Sequence, residues 1–190
     1  MIRGIIFDCF GVLYGSSVAT LVGMCPKDRL QELRDYNVRV DYGFITTEEY
    51  AGSVAEILSV TKEEVTQLFK AKHVRNNELI EYVKTLRGDY KVALLSNVGT
   101  NTIERLFTEQ EIEELFDVVV LSYEEHLAKP NPAIFSLTAE RMGLSSGECI
   151  MVDDIESNCD GAEIAGMYTV RHITNDGTRK ALETLTQKSA

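Results

Sequence analysis

The sequence predicts an α/β protein in which a doubly wound parallel sheet has its first crossover expanded into an all-helical insertion. Three observations carry this. Five short, continuous apolar runs fit strands covered on both faces. Helical patterns separate the later runs. The interval between the first two runs is several times the length of about a dozen residues that one crossover needs, and it contains helical signals only.

The elements follow in order. GIIF (4–7) is the first strand; it ends at Asp8, with Gly11 shortly after. In the insertion, PKDRLQELRDYNV places Pro26 in a first helical turn. TTEEYAGSVAEIL can be capped by Thr46 or Thr47, and TKEEVTQLFKAK pairs Thr61 with Glu64 in a capping box. NNELIEYVKTLRG, bracketed by Asn76 and Gly88, returns the chain to the sheet. Strands KVALLS (91–96), DVVVL (117–121), CIMV (149–152) and MYTV (167–170) come next. Between them lie the helical stretches NTIERLFTEQEIEELF, NPAIFSLTAERMG and NCDGAEIAG, and DGTRKALETLTQK follows the last strand. The expected division is a Rossmann-like core of residues 1–14 and 76–190 and a helical cap of residues 15–75. Internal repeats and low-complexity linkers are absent.

A length of 190 residues suits one domain with a modest insertion, and 44% hydrophobic content supplies a core. The net charge of −11 argues against a general binder of nucleic acid or anionic membrane, since both need a basic surface. A small phosphorylated ligand stays compatible, because local cations can override the global sign. Cys9, Cys25, Cys149 and Cys159 show no metal-type spacing and are expected as reduced thiols. The N-terminal run meets Asp8 too early for a signal peptide or a spanning helix, so a soluble, cytoplasmic protein is expected. Oligomeric state is not legible.

In open α/β sheets, ligands bind at the carboxyl ends of the strands, near the switch in strand order. Those ends carry Asp8, Ser96 with Asn97, Lys129 in SYEEHLAKP, and Asp153 with Asp154, followed by Asn158. A solvated turn explains an isolated Asp-Asp pair. Converging with Asp8 on one edge, the acids would repel one another unless a cation sat between them, and hard oxygen ligands suit Mg²⁺. Ser96 and Asn97 read alone as a strand-end turn. Beside a metal, the Ser96 hydroxyl and nearby backbone N–H groups would donate to phosphoryl oxygens. A lone lysine is usually a surface charge; in an acid-lined pocket Lys129 becomes a counter-charge for Asp8 and for a phosphate.

FDCFGVLY, LLSN, AKPNPAIF and MVDDIESN resemble, in order and spacing, the four motifs of the haloacid dehalogenase-like hydrolase superfamily. YGFITTEEY resembles a stretch common in the caps of that family, and the resemblance covers nearly the whole chain. It implies a Mg²⁺-dependent phosphatase acting on a small phosphorylated metabolite, such as a sugar phosphate, through an aspartyl-phosphate. Asp8 would be the nucleophile. Asp8, the Phe10 backbone carbonyl and Asp154 would hold the metal, with Asp153 and Asn158 in supporting contacts. Ser96 would orient the phosphoryl group, Lys129 would neutralise charge, and Gly11 and Asn97 would complete the substrate contacts.

Phe10 departs from the pattern. Phosphatases of the family usually carry there a second aspartate, which protonates the leaving oxygen and then activates water. That help is worth about 10²–10⁴-fold, and a benzyl group supplies none of it. Three readings follow. The first is a phosphatase with a modified proton step or with leaving groups that need little protonation. The second is a non-catalytic phosphate-binding or regulatory module. The third is a metal-independent 2-haloacid dehalogenase, since those relatives carry an aromatic residue at this position but lack the acidic pair kept here as Asp153-Asp154. His126 is expected as a loop residue near the mouth and Tyr14 as packing. Cys9 and Cys159 are expected as small buried residues, and Tyr42 and Phe44 as either substrate-facing or packing.

Overall fold

The computed structural model describes residues 1–187; Lys188, the last residue of the final predicted helical stretch, lies outside the described residues. The five apolar runs form five parallel strands: β1 (Gly4–Phe7), β2 (Lys91–Ser96), β3 (Val118–Leu121), β4 (Cys149–Asp153) and β5 (Tyr168–Arg171). Their order is β3-β2-β1-β4-β5. The chain winds outward from β1 through β2 to β3, then returns to the other side of β1 for β4. The switch in strand order therefore falls between β1 and β4, where Phe7 pairs with Val152 and leaves Asp8 level with Asp153.

Both faces of the sheet are buried, which is why its strands read as unbroken apolar runs. Ile5, Phe7, Val92, Leu94, Ile150 and Val152 point to one side. There they meet Leu79, Ile80 and Val83 of α5 (Asn77–Leu86), Leu115 of α6 (Glu109–Leu115) and Leu182 of α10 (Asn175–Gln187). Ile6, Ala93, Leu95 and Met151 point to the other. They meet Ile134 and Phe135 of α8 (Pro132–Arg141) and Ala162 of α9 (Glu156–Ile164). The period-two alternation thus splits one sheet into two apolar faces.

Residues between β1 and α5 form four helices: α1 (Val18–Met24), α2 (Leu30–Asp41), α3 (Thr47–Leu58) and α4 (Lys62–Lys72). They enclose a separate cluster around Leu21, Leu33, Val54, Ile57 and Val65. The predicted caps are present: Thr46 with Glu49 opens α3, and Thr61 with Glu64 opens α4. Asn76 caps α5 by accepting from the Leu79 N–H.

Three local expectations change. Pro26 precedes a 3₁₀ turn (Lys27–Arg29), and α2 begins only at Leu30. The stretch NTIERLFTEQEIEELF divides into a 3₁₀ turn (Ile103–Arg105) and α6, because Thr108 forms a capping box with Glu111. Helix α1 and the short α7 (Ser122–Glu125) carry no clear periodic signal. No helix among the described residues is long and apolar enough to cross a membrane.

Candidate active site

Asp8 follows β1 directly, and its N–H continues the ladder to the Val152 carbonyl at 2.9 Å. Its Oδ1 accepts from the Cys9 N–H at 2.6 Å and from Lys129 Nζ at 2.8 Å. Lys129 also reaches Asp153 Oδ2 at 2.6 Å and is only 5% exposed. The lysine is aimed by Asn97, whose side-chain amide donates to the Lys129 carbonyl and accepts its N–H, both at 2.9 Å. Asn97 therefore positions the lysine besides lining the cavity above it.

The two adjacent acids have different environments. Asp153 is saturated: beyond Lys129 it accepts from the Ile155 N–H at 2.9 Å and from Asn158 Nδ2 at 3.0 and 3.1 Å. Asp154 Oδ1 is buried and has no hydrogen-bond partner among the described residues. Gly11 (φ +90°) runs over this carboxylate so closely that a Cβ would lie 2.3 Å from its atoms. Only a residue without a side chain, tolerant of positive φ, fits there. Ser96 is 1% exposed, and its Oγ also lacks a partner.

Asp8, Asp153 and Asp154 offer oxygens that all lie within 4.8 Å of one another. Burial raises the Asp8 pKa, and the neighbouring acids add to the effect although Lys129 opposes it. Burial, then Asp153, raises Asp154. For Lys129, burial alone would favour the neutral amine, but Asp8 and Asp153 outweigh it and hold the ammonium form. One buried cation thus faces three carboxylates. That surplus charge, with the orphaned Asp154 oxygen, fits a hard divalent cation.

A cavity of about 380 Å³ opens above these groups, lined by Asp8, Asn97, Lys129 and Asp154 below and by α2, α3 and α4 above. Phe10 lines it too. Its ring lies on His73, with centroids 4.4 Å apart, and His73 stacks in turn on Phe69 at 5.8 Å. Tyr50 continues the series beyond Phe69 at 6.2 Å. The cavity also takes in Asn37, Asp41 and Thr47 from the helical segment. None of these, nor His73, has a strand-end position to mark it in the sequence.

The remaining candidates have structural duties. Tyr14 is buried and donates its hydroxyl to the Leu106 carbonyl at 2.5 Å. His126 meets the Tyr42 carbonyl through Nδ1 at 2.8 Å, and Phe44 stacks between the Tyr42 and His126 rings, away from the cavity lining. Cys9 and Cys159 are buried free thiols.

Comparison with known proteins agrees with this geometry. The family model for haloacid dehalogenase-like hydrolases matches residues 2–166. Acyl-CoA dehydrogenase family member 10 of Mus musculus is 27% identical over 209 residues, which is 96% of this chain but 19% of that protein. N-acylneuraminate-9-phosphatase of Homo sapiens is 30% identical over 120 residues, 60% of this chain and 48% of that protein. The chain thus spans half or less of the length of these curated relatives. A HAD family enzyme of Bacteroides thetaiotaomicron, bt-2542, solved with magnesium and inorganic phosphate, superposes with a TM-score of 0.72 at 24% identity, over 91% of this chain and 95% of that one. Its sequence match, its switch-point aspartate and the acids beside it make this chain a member of the haloacid dehalogenase-like hydrolase family.

Proposed function

We propose that the protein is a Mg²⁺-dependent phosphatase that acts on a small phosphorylated metabolite through an aspartyl-phosphate on Asp8. One observation carries this reading: Lys129 bridges Asp8 and Asp153 while the buried Asp154 Oδ1 has no partner among the described residues. Asp8, the Phe10 carbonyl and Asp154 would hold the metal, and Asn158 with Ile155 would fix Asp153 in support. The metal would supply the positive charge that lets an anionic nucleophile approach an anionic ester. Lys129 neutralises charge on the transferring group and keeps Asp8 aimed. Ser96 Oγ, unpartnered here, donates to a phosphoryl oxygen, and Gly11 keeps the backbone close to Asp154. Residues 1–14 and 76–190 act as the catalytic core, and residues 15–75 act as a cap over the cavity.

Magnesium and phosphate in the bt-2542 structure, and a sugar-acid phosphatase among the relatives, support the substrate class. Four buried free thiols suit a cytoplasmic setting. The saturated Asp153 and unsaturated Asp154 argue against a metal-independent dehalogenase, which would repel its carboxylate substrate here. Phe10 favours one second reading, a phosphate-binding module without turnover.

The deciding experiment is Mg²⁺-dependent release of phosphate from an aryl phosphate, with Asp8→Asn as control. Turnover that needs both the metal and Asp8 is expected. Tight phosphate binding without turnover by the folded, metal-loaded protein would replace this reading with the binding module.

A further inference from the structure

On the phosphatase reading, the residue that would carry the leaving group's proton has been replaced. Phe10 stands at that position, and its ring packs at a tilt against His73. The group to replace it must reach the cavity from elsewhere.

Asp41 is the last residue of α2 and lines the same cavity as Asp8 and Lys129. Among the described residues, no hydrogen bond or ion pair engages its carboxyl group. Its placement is costly on two counts. A carboxylate at a helix C-terminus meets the negative end of the helix dipole, and the partial burial of this unpaired acid in the cavity wall disfavours its charge. Burial pushes its pKa up to about 7, with Lys129 pulling weakly the other way. Tyr50, whose own pKa is raised by burial and by Asp41, and His73 are the titratable cap groups sharing this cavity. Nothing in the packing of α2 requires an acid here, since Leu33 and Val40 anchor the helix.

We propose that Asp41 of the cap is the proton donor and acceptor for the leaving group, replacing across the cavity the carboxyl that Phe10 lacks. This rests on the phosphatase reading above. In the first step an Asp8 oxygen bonds to phosphorus, the P–O bond to the leaving group breaks, and the Asp41 proton passes to the departing oxygen. In the second, a water oxygen bonds to phosphorus, its proton passes to Asp41, and the P–O bond to Asp8 breaks. Asp8 ends ionised and Asp41 protonated, as they began. His73 is a poorer carrier: its ring is held between Phe10 and Phe69, and burial lowers its pKa.

The test is the dependence of kcat/KM on the leaving group, from nitrophenyl phosphate through phenyl phosphate to a primary alkyl phosphate. It is measured for the wild type, Asp41→Asn, Asp41→Glu and His73→Gln, each with its thermal transition recorded. Asp41→Asn is expected to lower kcat/KM for the alkyl ester by about 10²–10⁴-fold and to leave nitrophenyl phosphate, whose phenolate departs without a proton, little changed. With nitrophenyl phosphate this variant should give a burst of nitrophenolate before a slow steady state, because water activation is also lost. Asp41→Glu should restore part of the alkyl rate. An equal loss for all esters, no loss, or a selective loss in His73→Gln instead would overturn the assignment. Absence of Mg²⁺- and Asp8-dependent turnover of any ester by the wild type would sink the phosphatase reading, and this proposal with it. Normal wild-type turnover with an unaltered leaving-group profile in Asp41→Asn would sink the proposal alone.

Discussion

Lys129 is the residue whose removal should be felt most widely. It is the counter-charge for both Asp8 and Asp153. Removing one partner of a buried pair costs about 3–5 kcal/mol, because the remaining charge is stranded. Lys129→Met is therefore expected to destabilise the metal-free protein by that order at pH 8 in urea unfolding. The loss should shrink at pH 5, where Asp8, its pKa already raised by burial, takes up a proton instead. An equal loss at both pH values would mean that the lysine acts by packing alone. At this scale the sequence was legible wherever a residue ends a strand, since β1, β2 and β4 deliver Asp8, Ser96 with Asn97, and Asp153 with Asp154 to one edge. It was illegible for Asp41 and His73. They reach the cavity only because α2 and α4 fold back over the sheet, and no local spacing encodes that approach.

At the scale of elements, site geometry depends on how closely α9 can lie against the loop that carries Lys129. A Cβ on Gly161 would stand 2.1 Å from the Pro130 carbonyl oxygen and 3.1 Å from the Phe135 ring. Gly161→Ala must therefore displace Pro130 and disturb Lys129 beside it. The expected result is destabilisation of about 1–3 kcal/mol, as for other overpacked sites, with a fall in turnover beyond that of an equally destabilised control. Thr61→Ala supplies that control: it removes the cap at the end of α4 opposite the cavity-lining Phe69 and His73, at a cost of about 1 kcal/mol. If both variants turn over alike at equal stability, the close approach of α9 does not set the lysine. The strands and capped helices were readable because each carries its own signal, a covered apolar run or a Thr-x-x-Glu box. The break at Thr108 obeys the same capping chemistry, but there the box lies inside a stretch whose composition is helical throughout. Helix α1 has no side-chain cap and no acid in its first turn, and it buries only Leu21, so tertiary packing rather than local sequence forms it.

Across the whole molecule, the cavity between the helical segment and the sheet concentrates negative charge on a protein that already carries −11. Asp8, Asp41 and Asp154 all have raised pKa values, with burial the first cause in each. An acid with a raised folded-state pKa imposes no penalty below its unfolded value of about 4; the penalty grows as pH rises through the folded value. For Asp41 that window runs from 3.8 to about 7. The opposite sign applies to Glu148, held down to about 2 by the Ser145 N–H, Arg3 and the Ser145 hydroxyl, whose contribution is lost only in acid. The metal-free protein should therefore be most stable near pH 5 and lose stability toward pH 8. Asp41→Asn should recover about 1–3 kcal/mol of that loss at pH 8 and almost none at pH 5, so the substitution proposed to impair turnover should also raise the melting temperature. Mg²⁺ should act in the same direction through a different group. Held by Asp8 and Asp154 as proposed, it would offset their charge, so it should raise the melting temperature at pH 8, in wild type and in Asp41→Asn alike, and have little effect at pH 5, where protons compete for the same oxygens. A pH-independent magnesium effect, or one abolished by Asp41→Asn, would place the cation at a different set of carboxylates and separate the metal from the strand ends.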